Sequence, residues 1–217
     1  MASLKPIKLY SHKTGPNPWK VAVILDELSV PYKHEFQEMS AIKQEPFISV
    51  NPNGRVPAIE DPNTGIILWE SGAIIMYLIE TYDKDGKISY PSGPEKYYEW
   101  QWMAYQISGQ GPYFGQAVWF TRFHHEQLPS ARERYVKEIE RVTGVLDSWL
   151  QKHDWLVGDK CTYVDLMFVP WAKTAHTTMG DFIDFQGKYK AYFAWMEKLE
   201  GRDSVRKVFE EKAQVAQ

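Results

Sequence analysis

The stretch PAIEDPNTGIILWESGAI, residues 57–74, carries the pattern that decides the fold. Its two apolar runs, Pro57–Glu60 and Ile66–Trp69, are separated by Asp-Pro-Asn-Thr-Gly at 61–65, a strong turn signal that predicts a β-hairpin. Ser71 then opens a predicted helix. The apolar residues of that helix recur at three- and four-residue spacing: Ile74, Ile75, Leu78 and Ile79.

The residues before this stretch predict a β-α-β unit. Ile7–Tyr10 is a short apolar strand candidate, and the breaker-rich segment from Ser11 to Pro18 predicts a loop. A helix follows, with apolar residues at helical spacing, and a second strand is predicted over Tyr32–Phe36 before a short helical segment near Phe47. The resulting order, β-α-β-α-β-β-α, fits a small mixed α/β sheet over residues 1–86.

The second half of the chain is organised differently. Residues 83–87 and 91–94 are dense in turn formers, which predicts a linker over 87–93. Beyond the linker, strand patterns disappear and apolar residues recur at the spacing of a helix face. Thr162 and Asp165 fit a capping box that begins a buried helix. Residues 94–217 are therefore predicted to form an all-helical domain.

Composition excludes several classes of protein. A formal charge of −3 provides no basic surface for nucleic acid or an anionic membrane. No apolar run has the length of a membrane span, and the first residues lack the apolar core of a secretory signal, so we expect a cytosolic protein.

Metal and thiol chemistry have little support in the sequence. The one cysteine, Cys161, excludes an internal disulfide, a cysteine zinc site and a two-thiol redox centre, and its expected role is packing. His124 and His125 are adjacent and do not have the spacing of a helical metal pair. No metal site is predicted.

Three local patterns fall where a small α/β sheet could expose its backbone to a ligand. The first is Ser-His-Lys-Thr-Gly-Pro-Asn at 11–17, between the first strand and the first helix. Its hydroxyl and amide side chains could donate to an anion, and a thiol placed at the helix N-terminus would ionise more readily. The structural alternative is that Asn17 caps the helix and Thr14 is a turn residue.

The second and third patterns flank the predicted hairpin. At 51–58, a proline follows Val56 directly before a strand; a cis bond fits there, and the Val56 backbone could pair with an extended peptide. At Glu70-Ser71, a helix N-terminus suits a carboxylate and the Glu70 side chain suits an ammonium. An α-amino acid end offers both charges, although an ordinary turn and a plain N-cap explain the same residues.

In this order, the motifs resemble the cytosolic glutathione transferases, most closely their fungal Ure2p-like branch. Residues 9–17 resemble the catalytic loop, 51–58 the segment leading to the cis-proline, and 70–74 the γ-glutamyl motif. Residues 155–160 and 162–165 resemble the folding signature of the second domain. The resemblance covers nearly the whole chain. It implies a thioredoxin-like N-terminal domain, an all-helical C-terminal domain, and glutathione as co-substrate.

The resemblance also assigns residues to glutathione binding. It implies that Glu70 and Ser71 hold the γ-glutamyl end. Val56, which precedes the cis-proline Pro57, would pair its backbone with the cysteinyl unit, and Lys43 would meet the glycyl carboxylate.

For catalysis, the resemblance implies that Asn17, with Thr14 or Ser11, stabilises the glutathione thiolate. Residues 14–17 occupy the Cys-Gly-Pro-Cys position of thioredoxin without a cysteine, so chemistry through an enzyme thiol is not expected. Tyr10 lies near the position where other classes keep a catalytic tyrosine, which makes it a second catalytic candidate, although packing is its expected role.

The tryptophan-rich second half is where an apolar co-substrate is expected. Its candidate wall residues are Tyr113, Phe114, Trp119 and Phe123. Because an aromatic stripe at helical spacing also fits a core, only about two of these are expected to line a pocket.

The resemblance implies one of two reactions and a homodimer. The enzyme would either conjugate glutathione to a hydrophobic electrophile or isomerise an unsaturated fungal metabolite by addition and elimination. The alternative is a glutathione-binding regulatory protein of the Ure2p type without transferase activity.

Overall fold

The computed structural model describes residues 3–216. It divides into two compact units, each with its own interior. One contains the residues up to Pro91 together with those from Arg202 onward, and the other runs from Ser92 to Gly201.

The first unit is built on a mixed sheet in the order β2-β1-β3-β4. Its strands are β1 (Ile7–Ser11), β2 (Tyr32–Phe36), β3 (Ala58–Asp61) and β4 (Ile66–Trp69). Its first helices are α1 (Pro16–Glu27), α2 (Phe47–Val50) and α3 (Ser71–Tyr82). β1 runs parallel to β2 and antiparallel to β3, and β3 and β4 form the antiparallel hairpin. The predicted order β-α-β-α-β-β-α is confirmed.

The core of this unit follows from the position of β1 in the sheet. Ile7 and Leu9 on β1 and Ile59 on β3 have no exposed surface, because these strands have a neighbour on each side and helices pack against the sheet. On α1, the residues from Val21 to Leu25 are also fully buried. Removal of this apolar surface from water is the main stabilising contribution to the unit.

Two helices begin differently from the sequence expectation. The cap of α1 is Gly15, Pro16 is the first helical residue, and Asn17 lies inside the first turn, so the alternative in which Asn17 caps α1 is wrong. The cap of α3 is Glu70, and Ser71 is the first helical residue. Asn17 and Ser71 therefore both lie in the first turn of their helices.

The second unit is helical, as predicted. Its helices are α4 (Glu95–Tyr105), α5 (Gly111–Val118), α6 (Pro129–Leu150), α7 (Tyr163–Met179), α8 (Phe185–Lys188) and α9 (Lys190–Glu200). Single π-helical turns, Gln106–Gln110 and Trp119–Phe123, flank α5. Within residues 3–216, no helix has both the length and the apolar character needed to cross a membrane.

The last helix, α10 (Asp203–Val215), packs in the first unit, whereas the sequence predicts a single helical domain over residues 94–217. The physical reason is Glu27, which is only 6% exposed at the end of α1. A buried carboxylate needs partners. Arg202 binds it through two contacts of 2.6 and 3.0 Å, and Ser204 Oγ donates at 2.6 Å. Burial raises the pKa of Glu27, but the bonds from Arg202 and Ser204 outweigh it and hold the pKa below its usual value.

Asp165 is the polar centre of the second unit. Its Oδ2 accepts from the Thr162 N–H and Oγ1, both at 2.9 Å, which confirms the predicted capping box. Its Oδ1 accepts from the Leu156 N–H and from Trp195 Nε1, both at 3.0 Å. Complete burial raises the pKa of Asp165, and these four donors oppose that effect. One carboxylate thus ties the start of α7 to α9 and to the preceding loop.

We expect Asp165→Asn to lower the free energy of unfolding by about 2–4 kcal/mol, because the amide nitrogen must face one of the two donor pairs. Denaturant unfolding followed by tryptophan fluorescence measures the change. The matched control is Asp154→Asn, at a side chain that is 82% exposed, and we expect a change within about 0.5 kcal/mol. Equal stability of Asp165→Asn and wild type would contradict the role of this carboxylate.

Candidate ligand-binding site

The register of the sheet brings the three candidate motifs to one edge of the first unit. Tyr10 of β1 pairs with Ala58 of β3, and Ala58 pairs with Trp69 of β4. The segments that follow β1 and β4 and the segment that precedes β3 therefore leave the sheet side by side. Since neighbouring strands lie about 4.8 Å apart, all three begin within about 10 Å of one another.

The Glu70-Ser71 turn presents two complementary charges. Glu70 has φ 70° and ψ 117°, and its carbonyl accepts from the Ile74 N–H at 2.9 Å to start α3. The first N–H groups of a helix have no partner within the helix and carry partial positive charge. The exposed Glu70 carboxylate lies beside them, and Ser71 is 7% exposed. This turn can hold an ammonium and a carboxylate that belong to the same molecule.

The segment before β3 provides backbone groups. The Val56-Pro57 bond is cis, as the sequence suggested. Among residues 3–216, the Val56 main chain has no hydrogen-bond partner. Asn51 shapes the segment: its Nδ2 donates to the Arg55 carbonyl at 2.6 Å, and its Oδ1 accepts from the Asn53 N–H at 2.9 Å. The Val56 backbone is thus fixed and available to an extended ligand.

Asn53 and Lys43 connect this segment to its surroundings. Asn53 Nδ2 donates to Glu70 Oε1 at 3.4 Å, which joins the second motif to the third. Lys43 Nζ donates to the Asn53 carbonyl at 2.9 Å, so its ammonium lies at the same segment. Gly54 permits this approach, because at φ 57° a Cβ there would come within 2.6 Å of the Ile42 carbonyl oxygen. The structure therefore brings Lys43, Val56, Pro57, Glu70 and Ser71 together.

His12 organises the loop between β1 and α1, a role that sequence reasoning missed. Its Nδ1 accepts from the N–H groups of Thr14 and Gly15, each at 3.3 Å, and lies 3.3 Å from Thr14 Oγ1. Nδ1 is thus a shared acceptor that holds the two backbone N–H groups of the loop together. The indole of Trp19 also donates to the carbonyls of His12 and Lys13. The sequence signal for this role is a histidine placed two and three residues before the N–H groups that lead into α1.

Ser11 is too deeply buried to contact a ligand. It has no exposed surface, and its Oγ lies 2.6 Å from Nδ1 of His34, whose Nε2 lies 3.7 Å from Glu211. This serine-histidine-carboxylate series has the residue types of a hydrolytic triad, but no substrate can reach a fully buried hydroxyl. Its physical role is to anchor the end of β1 to β2.

Tyr10 packs, as expected. Its ring meets Phe47 edge to face at 5.4 Å, and its hydroxyl donates to Glu60. Burial and the bond to Glu60 raise the pKa of Tyr10. Both effects disfavour a phenolate at this position, so Tyr10 is not a candidate catalytic group.

The aromatic residues proposed for an apolar pocket have different environments in the second unit. Phe114 is 1% exposed and belongs to the core, so it does not line a pocket. Tyr113 is half-buried, with the Arg141 guanidinium 5.8 Å from its ring centre. Trp119 and Phe123 are 49% and 67% exposed, with ring centroids 6.2 Å apart. Only the solvent side of the stripe is available to an apolar molecule.

A cavity of about 820 Å³ within the second unit lies between α7, α8 and α9. It is lined by His176, Phe185 and Phe193 among others, and by none of the four predicted aromatics.

Cys161 is buried, as expected for a packing residue. Within residues 3–216, no group of three or more His, Cys, Asp or Glu side chains is placed so that it could hold a metal ion.

The fold and this site define a two-unit protein whose α/β unit presents a candidate site for a small polar molecule at the ends of β1, β3 and β4. Comparison with known families agrees. Residues 5–80 match the model of the glutathione S-transferase N-terminal domain, and residues 112–203 match that of the C-terminal domain. The chain belongs to the glutathione S-transferase family and has its architecture, a thioredoxin-like domain followed by a helical domain.

Similar proteins are fungal. The glutathione S-transferase-like protein OpS6 of Beauveria bassiana is 48% identical, with both chains covered completely. The glutathione S-transferase-like protein tpcF of Aspergillus fumigatus is 46% identical over 95% of this chain and 96% of its own. The glutathione transferase URE2P6 of Phanerochaete chrysosporium, solved in complex with oxidized glutathione, has a TM-score of 0.94 and 45% identity, covering 97% of this chain and 98% of its own.

We expect stability to decrease by about 2–3 kcal/mol on acidification from pH 6.5 to 4 on account of His34. Burial lowers the pKa of His34 from 6.5 to about 4, so the unfolded chain takes up the proton first as the pH falls. His34→Phe removes this uptake, and its plot of unfolding free energy against pH becomes shallower across that window. His125→Phe, at a side chain 82% exposed, is the matched control and keeps the wild-type slope. Identical slopes for all three proteins would show that His34 is not the group responsible.

Proposed function

We propose that the chain binds glutathione at the edge of its first unit and activates the thiol for attack on a hydrophobic electrophile. The observation that carries the proposal is the convergence of four groups at one sheet edge. These are the Glu70 carboxylate, the α3 N-terminus at Ser71, the Val56 main chain and the Lys43 ammonium. Each has a chemical counterpart in the tripeptide.

The charges and the backbone of glutathione determine its orientation in this proposal. The γ-glutamyl ammonium binds Glu70, and the neighbouring carboxylate binds Ser71 and the N–H groups that start α3. The cysteinyl unit pairs with the Val56 main chain, and the glycyl carboxylate meets Lys43. The thiol then points toward the segment after β1, because β1 and β3 are neighbours.

Asn17 is the group that we assign to the thiolate. The Thr14 hydroxyl lies 3.3 Å from His12 Nδ1, which competes for its single proton, and Ser11 is buried. Asn17 is half-buried in the first turn of α1, where the helix N-terminus favours an anion. A free thiol with a pKa of about 8.5 is only a few per cent ionised at pH 7. Lowering that pKa by about two units therefore gives more than tenfold more nucleophile.

Two reactions follow from one thiolate. Attack on an electrophilic carbon with loss of a leaving group, or addition to an alkene, gives a stable conjugate. Reversible addition to a conjugated alkene forms a C–S bond, allows rotation about the former double bond, and then breaks the C–S bond to release glutathione unchanged. Within the second unit, Trp119 and Phe123 expose the apolar surface that contact with such a substrate would require.

A homodimer belongs to the same proposal. Ile66, Ile67 and Trp69 are 40%, 57% and 37% exposed on β4, which is an edge strand. Exposed apolar residues on a sheet edge favour coverage by another chain.

Mass spectrometry of the products tests the proposed function. The purified protein is incubated with glutathione and either an activated aryl halide or a cis conjugated enone. A product heavier by glutathione indicates conjugation. An unchanged mass with altered double-bond geometry and retained glutathione indicates isomerisation. Glutathione binding without turnover on any electrophile, alkene or peroxide would contradict an enzyme and favour a Ure2p-type regulatory role.

We expect Asn17→Ala to raise the thiol pKa of bound glutathione by about 1–2 pH units, the equivalent of one hydrogen bond to a charged group. Turnover below pH 7 falls roughly 10-fold or more in consequence. A pH titration of the ultraviolet thiolate absorption of the complex measures the shift. Thr14→Ala is the matched control, because its hydroxyl already has a partner in His12, and its shift is smaller. An unchanged pKa in Asn17→Ala would remove Asn17 from the mechanism.

A further inference from the structure

A buried lysine contacts the Glu70-Ser71 turn and has no role in the proposed activation of the thiol. Lys20 is on α1, three residues after Asn17, and is 1% exposed. Residues three apart lie on the same side of a helix, so one face of α1 carries both Asn17 and Lys20. Lysine is almost never fully buried unless it is paired, because removal of an ammonium from water costs several kcal/mol. Such a position calls for an explanation.

The contact of Lys20 determines how Ser71 can act. Lys20 Nζ donates to Ser71 Oγ at 3.0 Å. When Lys20 is charged, its ammonium has donors only, so the Ser71 oxygen is the acceptor and the Ser71 proton must point to a different group. Ser71 is the first residue of α3 and keeps some exposure. Its hydroxyl is therefore held as a donor at the position where the proposed carboxylate binds.

The charge of Lys20 responds to what occupies this turn. Burial lowers the pKa of Lys20 to about 7, and the field of the Glu70 carboxylate opposes that effect. Glu70 is itself exposed, and Asn53 donates to it. An ammonium bound to Glu70 weakens its field at Lys20, whereas a carboxylate bound to Ser71 places a new negative charge one hydroxyl away from Nζ. Near neutral pH, the bound carboxylate thus favours the charged form of Lys20.

We propose that Lys20 is a positioning residue for the carboxylate of the ligand's amino-acid end: acting through Ser71, its ammonium orients the Ser71 hydroxyl and compensates the carboxylate charge. This inference rests on the proposed function, because it concerns the γ-glutamyl end of the same ligand. Above about pH 7, binding of that carboxylate draws a proton from solvent onto Lys20. The site then selects ligands with a free carboxylate over ligands with a neutral end.

Isothermal titration calorimetry at pH 7.5 in two buffers of different ionisation enthalpy measures the linked proton. The ligand is S-hexylglutathione, whose blocked thiol cannot titrate. The comparison ligand is the same molecule without the γ-glutamyl α-carboxylate but with its amine retained. For wild type, we expect uptake of a substantial fraction of one proton with the first ligand and clearly less with the second. This comparison requires no variant and so does not depend on the folding of one.

Lys20→Met then assigns the proton. We expect it to weaken S-hexylglutathione binding by 10-fold or more, to abolish the difference in proton uptake, and to leave the affinity for the decarboxylated ligand nearly unchanged. Lys33→Met is the matched control: it removes the same charge from an exposed position on β2, and it keeps the wild-type affinity and proton uptake.

The outcomes separate the two proposals. If wild type binds S-hexylglutathione with the same proton uptake as the decarboxylated ligand, Lys20 does not compensate the carboxylate, and the proposed function stands without it. Equal affinity of wild type and Lys20→Met for both ligands leads to the same conclusion. If wild type binds neither ligand, glutathione binding itself is wrong, and the role of Lys20 falls with it.

Discussion

The backbone of Glu70 turns through a left-handed conformation at φ 70°, and the ligand site depends on this turn. β4 ends at Trp69 and α3 begins at Ser71, so a single residue reverses the chain. A non-glycine residue in this region costs about 1–2 kcal/mol. Such strain persists where the surrounding structure requires it. Here it places a carboxylate beside the positive end of a helix, which is the arrangement that an amino-acid zwitterion needs.

The rest of the first unit supports that turn. The pairing of Tyr10, Ala58 and Trp69 across β1, β3 and β4 brings the other binding segments to the same edge. Asn53 fixes the Glu70 side chain from one of these segments, and Lys20 holds Ser71 from α1. In the proposed mechanism, recognition of the charged end and activation of the thiol are linked through α1, because its first turn carries Asn17 and its next turn carries Lys20.

The sequence predicted the elements well because their signals are local. The turn at 61–65, the apolar spacing on α1 and α3, and the Thr162–Asp165 capping box each lie within a few residues. Features that depend on distant residues were not predictable. Glu27 is 175 residues from Arg202, so the packing of α10 in the first unit had no local signal. The burial of Ser11 depends on His34. A lone lysine on a helix is expected to be a solvated charge, and the burial of Lys20 becomes evident only when α3 packs against α1.

A crystal structure of the chain with glutathione would show whether the Glu70-Ser71 turn recognises the γ-glutamyl end of the tripeptide. We expect the ligand ammonium at the Glu70 carboxylate, the ligand carboxylate within hydrogen-bond distance of Ser71, and the cysteinyl main chain paired with Val56. Glutathione bound elsewhere, or in this cleft with its glycyl end at Glu70, would contradict this expectation.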